Sequence, residues 1–171
     1  ILGVEDMTFT YGDAPVELYP STSQGFPVII RSLLPSSFTV EGNILTIVGA
    51  GSGQMSFTHL GNDYYMAQMK TVNITVYKAT QTGFSFANLE RAVGDPAIQF
   101  PAVSEQGFSI SYNSSNTNVA TVSGNSITIV GQGESTIQAS NQGNYNYNPI
   151  DESFTLTVSP QPKQEQTISN F

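Results

Sequence analysis

The chain has 171 residues, 39% of them hydrophobic, which is enough for one large domain or two small ones with a real core. Its 13 acidic residues against 5 basic ones give a net charge of -8, which repels phosphate backbones and anionic lipid and excludes nucleic acid as a partner. The absence of cysteine excludes disulfides, thiolate metal sites and a cysteine nucleophile, and no apolar run reaches the roughly 20 residues that cross a bilayer.

Only 11% of the residues are charged, while Ser, Thr, Asn, Gln and Gly abound, so the surface is neutral and polar, as in extracellular β-proteins. The chain opens with Ile1-Leu2-Gly3-Val4, without the charged start and apolar stretch of a signal segment, and a processed end or the boundary of a longer chain is expected. Short β-branched and aromatic runs punctuated by Gly, Pro, Asn and Ser then predict strands near 2–10, 16–22, 27–33, 38–41, 44–48, 54–60 and 71–77. No helical period persists for three turns.

From residue 83 the same series begins again, at an ungapped offset of 82. Gly12-Asp13 falls on Gly94-Asp95, Gln24-Gly25-Phe26 on Gln106-Gly107-Phe108, and Gly42-Asn43 on Gly124-Asn125. Thr46-Ile47-Val48-Gly49 falls on Thr128-Ile129-Val130-Gly131, Gly51 on Gly133, Gly61-Asn62 on Gly143-Asn144, and Tyr65 on Tyr147. About a quarter of the paired positions are identical, so two homologous units are expected at 1–78 and 79–160, each with the seven strands of an immunoglobulin-like sandwich. Alternation turns Ile137, Ala139, Phe154, Leu156 and Val158 inward. Residues 159–165 are proline-rich and read as a stiff linker, and Gln166-Thr167-Ile168-Ser169-Asn170-Phe171 resembles Gln81-Thr82-Gly83-Phe84-Ser85-Phe86, so that 161–171 is read as linker and start of a truncated third repeat.

The passages "GDPAIQF" (94–100), "NVATVSGNSITIVGQGESTIQASNQGNYNYN" (118–148) and "TLTV" (155–158) resemble the bacterial immunoglobulin-like (BIG/MBG-type) repeats strung in tandem in large surface adhesins. The resemblance implies an extracellular, cell-surface or secreted location, neighbouring repeats of the same chain as partners, and a non-catalytic stalk that projects a distal binding region. The first unit departs from the pattern at Ser32-Leu33-Leu34-Pro35-Ser36-Ser37-Phe38 and is richer in bulky side chains at 59–66.

Several stretches suggest chemistry. "TIVGAGSG" (46–53) places three glycines after a β-branched run, but a dinucleotide fingerprint needs glycine where Gln54 stands and a helix after it. With its partner "TIVGQGES" (128–135) it reads as a turn joining two antiparallel strands, the glycines at 49, 51, 131 and 133 serving the turn, and no cofactor is expected. Gly12-Asp13 and Gly94-Asp95 read as turns; Asp13 and Asp95 are the only repeat-matched calcium candidates, and Glu5-Asp6 has no acidic counterpart at Ala87-Asn88. His59 is the sole histidine and could join Asp63 and a serine in a triad, yet no strained nucleophile turn exists and position 141 is Asn. An intramolecular lysine–asparagine bond is disfavoured, since 79–160 has no Lys and Lys70 maps onto Glu152. The aromatic loops offer more: Tyr65 and Tyr147 read as rings plugging the end of each sandwich, while His59, Tyr64, Met66, Met69 and Tyr145 are the exposed contacts for a glycan or a host or cell-surface protein.

Overall fold

The computed structural model describes residues 1–161. The expected start of a third repeat, at 166–171, therefore lies outside the described residues, as does the linker before it from residue 162 on. The chain divides into two compact units, one of residues 1–80 together with Asn144–Asn148, the other starting at Gln81 and excluding that segment. Among the described residues there is no helix, hence none long and apolar enough to cross a membrane.

Unit 1 has seven strands: β1 (Met7–Thr10), β2 (Val16–Glu17), β3 (Ile29–Ser32), β4 (Phe38–Glu41), β5 (Ile44–Ile47), β6 (Gly51–His59) and β7 (Gln68–Tyr77). They form two sheets, β1-β7-β6-β3 and β2-β5-β4, antiparallel except for the β1–β7 pair. Unit 2 repeats this with β8 (Leu89–Ala92), β9 (Ile98–Gln99), β10 (Ser111–Ser114), β11 (Ala120–Ser123), β12 (Ser126–Ile129), β13 (Gly133–Asn141) and β14 (Ile150–Ser159). Its sheets are β8-β14-β13-β10 and β9-β12-β11, and every strand bound is displaced by the same 82 residues. Each unit is the immunoglobulin-like sandwich that the strand pattern predicts.

The cores follow from alternation on strands covered on one face. In unit 1, Val72, Ile74 and Val76 of β7 and Met55 and Phe57 of β6 turn inward to meet Phe38 and Leu45 of the other sheet. In unit 2, Phe154, Leu156 and Val158 of β14 and Ile137 of β13 meet Ala120 and Ile127, and Ala139 sits with Ile110 and Ile150. The equivalent positions exchange volume. Phe38 and Phe57 become Ala120 and Ala139, while Val4 and Val72 become Phe86 and Phe154, whose rings stack 5.9 Å apart. Total volume, not residue identity, fills each sandwich.

Loop ends are closed by matched side chains. Ser32 Oγ donates to the Phe38 carbonyl at 2.6 Å, as Ser114 Oγ does to Ala120 at 2.7 Å. Asp6 accepts the Asn73 backbone N–H at 2.7 Å, and its counterpart Asn88 accepts the Thr155 N–H at 2.9 Å, so one amide replaces one carboxylate in the same task.

The glycine-rich phrase departs from expectation. Strand β5 pairs with β2 and β4, whereas β6 pairs with β3 and β7, so "TIVGAGSG" is a corner that carries the chain from one sheet to the other rather than a hairpin turn. Gly49 N–H and Val48 N–H both donate to the Ser37 carbonyl, at 3.0 and 2.9 Å, and Val119 takes the same part for Gly131 and Val130. A Cβ on Gly49 would lie 2.5 Å from the Ser36 carbonyl oxygen, and one on Gly131 would lie 2.7 Å from that of Asn118. Strand β6 also starts earlier than the pattern predicts, because Gly51 and Gly53 pair in register with Val76 and Ile74.

Candidate functional site

The side chains predicted to meet a ligand gather mainly at the far end of β6. His59, the last residue of that strand, stacks on Phe26 with ring centroids 4.9 Å apart and planes 3° from parallel. Tyr65 is tilted against Phe26, with ring centroids 5.3 Å apart and planes at 58°. Phe26 is held by its own loop: Thr22 Oγ1 accepts the Phe26 N–H at 2.7 Å, and the Thr22 carbonyl accepts the Gly25 N–H at 3.0 Å. Tyr65 is held by Asn62, whose side-chain oxygen accepts the N–H groups of Tyr64 and Tyr65, both at 2.9 Å. Gly61 opens that loop, and a Cβ there would come 2.6 Å from the Ala67 nitrogen.

Between these two loops lies a cavity of about 160 Å³, bordered by Ile1, Ser23, Gln24, Phe26, His59 and Met66. A shallower hollow of about 310 Å³ adjoins it on the side of Pro27, Leu60 and Asn62. His59 is half-buried, yet its Nε2 is shut off from solvent and has no hydrogen-bond partner. Met66 beside the cavity is 86% exposed and Leu60 beside the hollow is also on the surface, as are Tyr64, 89% exposed in the same loop, and Met69, paired in register with Thr58.

Tyr145 stands elsewhere. It belongs with residues 144–148 to unit 1 and lies over the Gly49-Ala50-Gly51 corner, its hydroxyl 3.4 Å from Ser37 Oγ. Beside it Asn146 Oδ1 accepts the Ala50 N–H at 2.9 Å. Since the corner is at the start of β6 and His59 at its end, nine residues or about 27 Å of strand separate Tyr145 from the His59 cluster. The two tyrosines expected to plug a sandwich end also differ. Tyr65 remains 46% exposed on Phe26, whereas Tyr147 meets Tyr11 of unit 1 edge-on at 5.4 Å, because the 144–148 backbone is tied to Ala79 through the Asn146 carbonyl and the Asn148 N–H.

Asp13 and Asp95 each turn a carboxylate oxygen back on the strand before it, to Thr10 N–H at 2.8 Å and Ala92 N–H at 2.9 Å. No group of three or more acidic or histidine side chains converges among the described residues. Lys70 Nζ donates to the Val4 carbonyl at 2.8 Å. Two carboxylates of unit 1 are held below the ordinary range. Asp6 is lowered chiefly by the Asn73 side-chain and backbone hydrogen bonds, and Glu17 by hydrogen bonds from Tyr19 and Asn43. His59 stands out in the sequence as the sole histidine, whereas Phe26, Ser23 and Gln24 carry no signal of a site beyond the Gln-Gly-Phe match at the 82-residue offset that marks their loop.

No family model and no curated protein sequence matches the chain. Among solved structures, the chain is similar to human protocadherin-24 EC1-2, at 11% identity over 93% of this chain and 96% of that one, with a TM-score of 0.38. It is similar also to the insect immune protein hemolin, at 14% identity over 92% of this chain and 45% of that one, with a TM-score of 0.38. A third likeness is to domains 4–9 of the surface layer protein SbsC, at 12% identity over 87% of this chain and 24% of that one, with a TM-score of 0.36.

Proposed function

We propose that the chain is a non-catalytic structural module, two immunoglobulin-like repeats of the bacterial surface-adhesin kind that serve as part of an extracellular stalk. The observation that supports this most is the displacement of all seven strand bounds by one constant 82 residues, since a chain that builds the same sandwich twice without insertion is a chain whose unit of function is the repeat. A neutral polar surface with net charge -8 keeps closely spaced copies apart. Small-angle scattering of the chain and of two copies joined head to tail tests it: maximum dimension should nearly double in the joined form, and a joined form no longer than the single chain would refute the stalk role.

The exposed side chains near His59 support a second reading, in which unit 1 binds a glycan or a surface protein through Tyr64, Met66 and Met69. On glycan and cell-binding arrays, Tyr64→Ala with Met66→Ala should abolish capture by the full chain. Capture that persists in the double variant would remove this location.

A further inference from the structure

The two units differ at the place where unit 1 has its cavity, because in unit 2 that place is filled. Gln81, 3% exposed, exchanges two hydrogen bonds with Asn141: Gln81 Nε2 donates to Asn141 Oδ1 at 2.7 Å, and Asn141 Nδ2 donates to Gln81 Oε1 at 2.8 Å. Thr82 follows it into a cradle. Its N–H donates to Gln106 Oε1 at 2.9 Å, its Oγ1 accepts from Gln106 Nε2 at 2.9 Å, and its carbonyl accepts the Glu105 N–H at 2.9 Å. Counting back 82 residues, Asn141 becomes His59, Gln106 becomes Gln24 and Glu105 becomes Ser23, and these three residues border the unit 1 cavity.

The loop that carries the cradle is built alike in both units. Gly107 N–H donates to the Ser104 carbonyl at 2.9 Å and Phe108 N–H to Ser104 Oγ at 3.3 Å, the counterparts of the Thr22 bonds to Gly25 and Phe26. Gln81 and Thr82, however, map onto positions ahead of Ile1. His59 Nε2, buried and unpartnered, therefore sits where unit 2 has an amide pair. Such an atom is rare in a native protein because its lost hydration is not recovered.

We propose that the unit 1 cavity is the seat of an extended Gln-Thr segment running in ahead of Ile1, its carboxamide bonded to His59 Nε2 and its threonine held by Gln24. A carboxamide offers both donor and acceptor, so it satisfies either neutral tautomer of the imidazole. The cavity, about 160 Å³, is below the roughly 300 Å³ at which small-molecule pockets begin and is of side-chain size. The next position differs: unit 2 has Gly83 at φ +88°, a conformation that a β-branched residue does not adopt, whereas unit 1 has Ile1, so the chain leaves the two sites by different backbone paths. The tail of the chain writes the phrase with the unit 1 choice, Gln166-Thr167-Ile168.

This inference rests on the reading of the chain as part of a repeat series, but its test addresses the His59 site alone. Nitrogen-15 spectra of the imidazole and urea unfolding followed by NMR are recorded on the 171-residue chain, on the chain with Gln-Thr added ahead of Ile1, and on the chain with Ala-Thr added. The Gln-Thr addition should move the His59 Nε2 resonance and raise the folded-to-unfolded ratio of unit 1 about fivefold, the worth of one net hydrogen bond. The Ala-Thr addition should do neither, and His59→Asn in the Gln-Thr chain, which copies Asn141, should keep the gain. Identical spectra and midpoints for the two additions would overturn the proposal. So would a His59 signal that stays fixed with Gln-Thr and moves with mono- and disaccharides. A failed docking with a joined form that still doubles in length would leave the repeat series standing, so the two failures are distinguishable.

Discussion

Gly42 and Gly49 are glycines for opposite reasons. Gly42 begins the two-residue turn between β4 and β5 with φ at +62° and has nothing within 4 Å of a would-be Cβ, so only its backbone conformation matters. Gly49 has no unusual φ, but an added methyl would strike the Ser36 carbonyl oxygen. Gly42→Asn, whose short polar side chain tolerates positive φ, is therefore expected to cost less than about 1 kcal/mol. Gly49→Ala should cost roughly 2–3 kcal/mol, because the obstacle is backbone rather than the end of a movable side chain. Urea unfolding midpoints of the two variants check the order, and equal losses would contradict it. From sequence both glycines look like turn residues, since spacing reveals where a chain bends but not which carbonyl it brushes against.

At the scale of elements, unit 1 uses carboxylates where unit 2 uses amides. Asp6 answers to Asn88, and Glu17, which accepts from Tyr19 at 2.5 Å and Asn43 at 2.8 Å, answers to Gln99, which donates to Ser126. Both carboxylates are held below their ordinary values by those hydrogen bonds, so their contribution to folding is complete above the ordinary carboxylate range. It is lost as pH falls through the depressed values. Between about pH 5 and pH 2 the urea midpoint of unit 1, read from its own amide signals, should fall more steeply than that of unit 2. Asp6→Asn should flatten the unit 1 curve; a curve unchanged by that substitution would assign the acid sensitivity elsewhere.

Much of this element scale was legible in advance. Inward Phe154, Leu156 and Val158 followed from alternation, and one offset transferred each strand from unit 1 to unit 2. The sheet to which β5 and β6 belong was not legible, because pairing is settled by partners far away in sequence. The His59 cavity was hidden for the same reason: Ser23, Gln24 and Phe26 reach it from a loop more than 30 residues earlier in the chain.

For the molecule as a whole, the cores set what each unit tolerates. Phe57→Ala should remove about 3–5 kcal/mol from unit 1, because nothing nearby is sized to fill the space. Ala139→Phe, which copies unit 1 into unit 2, should also destabilise, by about 1–3 kcal/mol, since Phe84, Phe86 and Tyr112 already crowd that site. Unit-resolved unfolding by NMR should place each loss in its own unit, and a gain in stability for Ala139→Phe would show that the rings of unit 2 leave room. The same exchange of volume bears on folding fidelity. Adjacent homologous sequences are prone to trade strands as they fold. A hybrid that takes β6 from one unit and β14 from the other would hold both Phe57 and Phe154 and be overfull, and one built from β13 and β7 would hold Ala139 and Val72 and be hollow. Two units of equal register and unequal core thus discourage each other's mistakes.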